Sequence, residues 1–259
     1  MDKIYIPTLG RHSNQVTWNN LPKFLQLITE FVIQPKEQQF FLDKPHLVLP
    51  ENDIGISNTR KWIWEQGHDK IYGIFDDDLE FVKRVPNQKP TKIPMTDYDW
   101  KIAISEIDNW LNGYFGFAGF LRGNLPPRDK ETNENAESLQ AVFYNGKKLP
   151  KVNQLEWEPN LYAEDVKLHL QLLLKGFPNI VWNTYGMVSK QFTEGGCQSD
   201  ISISSKGRTT EDTDKSHEHM VDNYYPYVQY KTKHGQLVIN PDGIRKLTIY
   251  YKKAYASSI

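Results

Sequence analysis

The stretch K-I-Y-G-I-F-D-D-D-L-E-F-V-K-R, residues 70–84, decides how the chain is read. An apolar run, Ile71–Phe75, stops at three consecutive aspartates, Asp76, Asp77 and Asp78, and apolar character resumes at Leu79, Phe81 and Val82. Short runs rich in Ile, Tyr, Phe and Val read as buried strands. The carboxylates are therefore expected at the exit of a strand, and in open α/β sheets the ligand crevice lies outside the carboxyl ends of the strands. Three adjacent carboxylates repel one another, and a cation offsets that repulsion. Hard oxygen donors of this kind suit Mg²⁺ or Mn²⁺, held by one or two carboxylates together with substrate phosphates. The alternative is a solvated acidic turn.

Upstream of this stretch, Ile4-Tyr5-Ile6 reads as a strand running into the polar loop Pro7–Arg11. Leu21, Phe24, Leu25 and Ile28 share one face of a helix that Asn20 caps, and Phe31-Val32-Ile33 forms the next strand. Strand, helix, strand at this spacing argues for a βαβ unit and a parallel sheet. His46–Leu49 reads as a third strand, and Ile54–Gln66 as a helix ended by Gly67.

Downstream, Thr96 or Asp97 caps a helix with Trp100, Ile104, Ile107 and Leu111 on one face, and Tyr114–Leu121 reads as a strand. Residues 122–137 are expected to be a mobile loop, and Leu139–Tyr144 with Lys147–Val152 a hairpin about Asn145-Gly146. Glu164 and Asp165 open an apolar helix, Ile180-Val181-Trp182 is a strand, and residues 193–219 are expected to be flexible.

The 259 residues, 39% hydrophobic and 13% aromatic, suffice for a packed core. A net charge of −1 excludes a uniformly basic nucleic-acid binder but not a local basic patch. One cysteine, Cys197, excludes an internal disulfide and a thiolate zinc site, and reads as a plain loop residue. With no signal-like N-terminus and no apolar run near the length of a spanning helix, a soluble cytoplasmic protein without membrane contact is expected. There is no phosphate-loop motif, dinucleotide fingerprint or nucleophile elbow. From Val228 to Ile259, six basic residues stand against one acid, Asp242, a formal charge of +5, with Tyr230, Tyr250, Tyr251 and Tyr255 interleaved.

Taken together, I-P-T-x-x-R (Ile6, Pro7, Thr8, Arg11), N-T-R (Asn58, Thr59, Arg60), the D-D-D run and Glu164-Asp165 resemble a GT-A glycosyltransferase over Lys3 to Trp182. That resemblance implies an α/β fold: a GT-A-like, Rossmann-like, mostly parallel sheet flanked by helices, with a C-terminal extension. Residues 1–190 would be the catalytic core, and residues 191–259 a flexible loop and basic aromatic extension packed on it. Within the fold, the chain is similar to phage glycosyltransferases that decorate hydroxymethylated pyrimidines in DNA.

The resemblance also implies roles. Pro7, Thr8, Arg11, Arg60, Asp76 and Asp77 would bind a nucleotide sugar, a UDP-sugar foremost, with Asp77 on the ribose or orienting Arg60. Asp76 and Asp78, with His217 or His219 completing the shell, would hold Mn²⁺ or Mg²⁺. Asp165 would take the acceptor's proton, with Glu164 able to exchange roles with it. Each has a plainer alternative: an ordinary strand-end loop for Thr8 and Arg11, a surface ion pair for Arg60, and acids complementing a helix dipole for Glu164 and Asp165.

Lys231, Lys233, Lys246, Lys252 and Lys253 would neutralise phosphates of a double-stranded DNA acceptor, and the tyrosines would offer stacking faces. The polar loops 122–137 and 193–219 would grip a strand from which the target base is extruded. Trp157 is the acceptor-site candidate among the tryptophans; Trp62, Trp64, Trp110 and Trp182 read as core. Two other functions fit the same residues: the same fold acting on a glycan or small molecule, and metal-dependent nucleotidyl transfer.

Overall fold

The computed structural model describes residues 1–85, 92–123, 125, 130–159, 162–190, 195–196, 209–241 and 243–259. The strands of the main sheet are β1 (Lys3–Pro7), β2 (Thr29–Ile33), β3 (His46–Val48), β4 (Ile71–Phe75), β5 (Leu79–Arg84), β6 (Lys92–Pro94), β7 (Phe117–Arg122), β8 (Thr132–Glu134), β9 (Ala141–Asn145) and β10 (Asn179–Ser189). The helices are α1 (Val16–Asn20), α2 (Lys23–Gln26), α3 (Gly55–Gln66), α4 (Asp97–Asn112), α5 (Glu164–Leu174), α6 (Thr210–Tyr224) and α7 (Tyr251–Ala256). Short strands β11 (Val228–Tyr230), β12 (Thr232–Lys233), β13 (Gln236–Leu237) and β14 (Leu247–Ile249) lie in the C-terminal segment.

The sheet order is β3-β2-β1-β4-β9-β7-β10-β5-β6, with β8 on β10. The expected parallel arrangement holds from β3 to β4 and again between β7 and β10. Antiparallel β9 stitches those two blocks together, pairing β4 on one side and β7 on the other. β1 pairs β2 and β4, so the chain reverses its direction of travel across the sheet there, and the crevice opens at the carboxyl ends of those strands.

Alternate residues of the central strands feed two cores. Ile4, Ile6, Phe31, Ile33, Phe75 and Phe143 pack on one face with α2 and α4, while Tyr5, Val32, Tyr72, Ile74 and Tyr144 pack on the other with α3 and α5. Burial on both faces explains why these strands read as near-continuous apolar runs. Met220, Tyr224, Val228, Tyr251 and Ala254 enter the second core, which docks the C-terminal segment on the sheet's α3–α5 side. Thr96 caps α4 reciprocally: its hydroxyl accepts from Asp99 N at 3.2 Å, and Asp99 Oδ2 accepts from Thr96 N at 3.0 Å.

Several local expectations are corrected. The helix expected at 21–28 is split into α1 and α2, because Pro22 starts a new turn and Asn20 bonds back to Val16 O at 2.9 Å instead of capping forward. Leu139–Val152 is not a hairpin: β9 takes its partners from β4 and β7, and Lys147–Val152 is not a strand. Within 122–137, β8 pairs with β10. Within 193–219, Thr210 onward is α6, capped by Thr209, whose hydroxyl accepts from Asp212 N at 3.1 Å. Cys197 and Asp242 lie outside the described residues. No helix among the described residues is long and apolar enough to cross a membrane.

Candidate active site

The D-D-D turn is fixed by groups distant in sequence. Asp76 N donates to Gln140 O at 2.8 Å, and Thr17 N donates to Asp77 O at 3.1 Å. The Thr17 hydroxyl donates to Asp76 O and accepts from Leu79 N at 2.8 Å. One threonine thus bridges both ends of the turn, so the direction of each aspartate is set by backbone bonds before any ligand arrives.

Each carboxylate then meets a different partner. Asp77 is buried; it accepts from Thr8 Oγ1 at 2.6 Å and from Arg11 NH1 at 2.5 Å. The same Arg11 nitrogen lies 3.3 Å from Asp78 Oδ2, and NH2 donates to Gly195 O at 3.3 Å. Arg60, only 4% exposed, divides its fork: NH2 donates to Asp76 Oδ1 at 2.8 Å and Nε to Glu164 Oε1 at 3.1 Å. The guanidinium therefore ties the strand-end acids to the first turn of α5. Asp76, not Asp77, is the partner of Arg60, and neither reads as a surface ion pair.

Electrostatics follow from this burial. Burial first, then Asp78, Asp165 and Asp77, push Asp76 up to about 7 against the opposing pull of Arg60. Burial and then Asp165 push Glu164 up to about 7, with Arg60 opposing. Asp77 is raised by burial despite Arg11 and Thr8, and Asp78 by burial and then Asp77. Burial opposes the charge on Arg60, but Asp76, Glu164 and Asp165 outweigh it and hold the guanidinium above its ordinary value. Around the aspartate turn the cleft thus concentrates more carboxylates than Arg11 and Arg60 pair with.

All of these groups line one cleft of about 910 Å³. Pro7, Thr8, Arg11, Arg60, Asp76, Asp77, Asp78, Glu164 and Asp165 are brought together there. With Glu164 engaged by Arg60, Asp165 is the acid of the pair without an ion-pair partner among the described residues; its Oδ1 accepts from Val166 N at 2.7 Å. The rest of the lining comes from residues that motif reading missed: Arg122, Tyr162, Thr210, Thr213 and Ile244. No short motif marks them, since they lie on separate elements joined only by the fold.

Other expected residues stand elsewhere. His219 does not line the cleft; it sits two turns into α6 against Asn223, and His217 Nδ1 contacts Arg245 O at 2.7 Å. Trp157 is packed against Trp64 with ring centres 6.0 Å apart and donates to Val152 O at 3.0 Å, so it is core and no acceptor platform. Tyr251 is buried, Tyr230 is covered by Arg245 at 4.5 Å, Tyr255 is bonded through its hydroxyl to Tyr114, and Tyr250, which is exposed, lies under Lys253 at 5.9 Å. Lys231, Lys233, Lys246, Lys252 and Lys253 are exposed and outside the cleft.

Among the described residues no three His, Cys, Asp or Glu side chains form a ready metal cage. Asp76 and Asp78 nonetheless fit the donor set of a hard divalent cation that completes its shell with phosphate and water. Burial first, and then neighbouring carboxylates, raise the pKa of both groups, so a cation that took their charge would relieve part of that repulsion.

Among solved structures, S. aureus TarS 1–349 in complex with UDP-GlcNAc is similar to this chain with a TM-score of 0.51 and 14% identity, covering 85% of this chain and 65% of that one. A second structure of TarS 1–349 gives a TM-score of 0.48 at 12% identity, with 85% and 65% covered. The chain thus spans just under two thirds of the TarS fragment. No curated protein matches it. The architecture is that of the GT-A glycosyltransferases. The chain belongs to the TET-associated glycosyltransferase family, whose model matches residues 2–197.

Proposed function

We infer that this protein moves a sugar from a UDP-sugar to the hydroxymethyl group of a modified pyrimidine in double-stranded DNA. One observation carries the reading: one cleft gathers the strand-end carboxylates Asp76–Asp78 with Asp165, which has no ion-pair partner among the described residues. A UDP-sugar is the donor class because TarS, of the same fold, is held with UDP-GlcNAc. The DNA acceptor is supported by the motif resemblance, by family membership and by exposed lysines on the C-terminal segment that make no ion pair among the described residues.

Thr8 and Arg11 preorganise Asp77 and Asp78 beneath the nucleotide, so the diphosphate meets groups already fixed by Thr17 and Gln140. Asp76 and Asp78 would hold Mn²⁺ or Mg²⁺, which when bound supplies positive charge against the departing diphosphate. Arg60 keeps the two acidic elements in register and leaves Asp165 to receive the proton. The acceptor hydroxyl oxygen bonds to the anomeric carbon, the bond from that carbon to the diphosphate oxygen breaks, and the hydroxyl proton passes to the Asp165 carboxylate.

The test is UDP release from a panel of UDP-sugars with Mn²⁺, with and without duplex DNA containing 5-hydroxymethylcytosine or 5-hydroxymethyluracil. Release that requires both metal and modified DNA is expected. Release that ignores DNA but rises with a glycan or small alcohol would replace the acceptor, and binding of nucleoside triphosphates without turnover of any UDP-sugar would contradict sugar transfer.

A further inference from the structure

One residue of the cleft is held in a backbone conformation that its own type does not favour. Among the described residues, four that are not glycine have positive φ: Asp53 at 55°, Asn135 at 49°, Gln140 at 66° and His234 at 52°. Asn, Asp and His enter this region several-fold more readily than other residues, which accounts for three of them. Gln140 is the exception, and of the four it alone lines the cleft.

The strain has a defined origin. Ala141 N donates to Leu139 O at 2.7 Å, closing a three-residue γ-turn about Gln140, and positive φ at its centre marks the rare, strained form. The surroundings enforce it. Gln140 O accepts from Asp76 N at 2.8 Å, Ala141 stands in register with Phe75, and Leu139 is buried. Ser138, fully buried, lies so close to Gly119 of β7 that a Cβ there would overlap its Oγ. Strain of this kind persists only where neighbouring contacts over-determine it, and it clusters at active sites and ligand clamps.

The side chain is the part left unspent. Gln140 is half-buried, and its amide makes no hydrogen bond among the described residues. The charged groups around the aspartate turn are already engaged, Arg60 with Asp76 and Glu164, and Arg11 with Asp77 and Asp78. A neutral amide offers two N–H donors and one acceptor, which match adjacent hydroxyls of a sugar, each able to donate and accept. Its place in the sheet agrees. β4 stands between β1 and β9, so the loop carrying Thr8 and Arg11 and the turn carrying Gln140 lie on opposite sides of the end of β4, where the aspartates begin.

We propose that Gln140 determines donor specificity: its amide holds hydroxyls of the transferred sugar, on the other side of the aspartates from Thr8 and Arg11, and the strained turn aims it there. This rests on the UDP-sugar reading above.

The experiment uses the full chain in Mn²⁺ and compares calorimetric affinity for UDP with that for UDP-glucose, UDP-galactose and UDP-N-acetylglucosamine. Two variants are set beside wild type. Gln140→Ala removes the amide and keeps a Cβ on the strained backbone, whereas Gln140→Gly removes both. Each should bind UDP within about twofold of wild type. Each should lose about tenfold in affinity for the UDP-sugar that wild type binds most tightly, the worth of one or two hydrogen bonds. Gln140→Gly should also melt about 2–4 °C above wild type, because the strain leaves with the side chain.

Equal losses for UDP and UDP-sugar would give Gln140 a general structural role and overturn the proposal. A Gln140→Gly protein that melts no higher than wild type would remove the strain on which it stands. Unchanged UDP-sugar affinity with a raised KM for the acceptor would move Gln140 to the acceptor and overturn it as well. Tight UDP-sugar binding that neither variant alters removes Gln140 and keeps the donor, whereas a wild type that binds UDP-sugars no better than an unrelated nucleotide removes the donor reading and the proposal together.

Discussion

The two walls of the cleft are built on opposite principles. On the aspartate side every functional group is held by a buried partner: Asp77 by Thr8 and Arg11, Asp76 by Arg60, and the turn itself by Thr17. In the rest of the lining Thr213 and Ile244 are buried, but Thr210 opens α6 in solvent, and Arg122 reaches only a partly exposed Glu137 at 2.7 Å. The first wall lies within the residues that the family model matches; Thr210, Thr213 and Ile244 lie beyond them. On the proposed function, the rigid part would meet the nucleotide diphosphate, a ligand that rewards preorganisation, and the open part would meet the acceptor. On that reading, donor chemistry and acceptor choice would occupy separable stretches of the chain.

The largest effect is expected at the rigid wall. Asp78→Asn should lower UDP release in steady state by about 10²–10³-fold, the loss typical when one preorganised electrostatic contact to the reacting group is removed. Chelation of divalent metal should produce a loss in wild type of the same order. A variant that retains most of its turnover would dissolve the contrast between the walls.

Arg60→Met comes next. It strands Asp76 and Glu164 without their shared cation, and breaking a buried ion pair from one side costs about 3–5 kcal/mol. Urea unfolding measures this directly. A loss below about 1 kcal/mol would mean the two acidic elements stay together without it.

Thr210→Glu probes the open wall. Thr210 is exposed in the first turn of α6, where an acid suits the helix dipole, so the fold should be unaffected. The added charge should raise KM for duplex acceptor by about tenfold or more through repulsion of its phosphates, while KM for the UDP-sugar moves less than about twofold. An equal rise in both would show that the walls are not separable.

A pH-dependent effect lies under the site. His169 is fully buried with its Nε2 2.9 Å from the Tyr144 hydroxyl oxygen, and burial, with Arg60 adding, lowers its pKa to about 3. The unfolded chain therefore binds a proton below its ordinary value near 6.5 that the folded chain refuses, and His169 destabilises the fold progressively as pH falls from about 6.5 to 3. Relative to His169→Phe, wild-type stability should fall by up to about 1.4 kcal/mol per pH unit across that window. A pH-independent difference would place a charge on the imidazole in the folded protein.

The rigid wall was also the legible one. An apolar run broken by Asp76 announces a strand exit, and Thr96 with Asp99 announces a helix start, because both signals are local. What sequence could not give is pairing over distance. Thr17 reaches Asp76 and Leu79 across 59 and 62 residues, and β9 leaves its neighbour in sequence to join β4 and β7. Nor does a polar composition distinguish α6 from a loop, since Thr213, Ser216, Met220 and Tyr224 bury only a narrow stripe. Trp157 reads as an exposed aromatic among acids, yet the Trp64 edge encloses it.

The central claim is that one wall binds the donor while Asp165, on the other element, serves the acceptor. The direct measurement is Asp165→Asn compared with Asp78→Asn, with UDP affinity by calorimetry in Mn²⁺ and sugar transfer to hydroxymethylated duplex on the same preparations. Asp165→Asn should keep UDP affinity within about twofold and lose transfer by about 10²–10⁴-fold, the range of a general base. Asp78→Asn should lose both. Full transfer by Asp165→Asn, or a loss of UDP affinity equal to that of Asp78→Asn, would contradict the account.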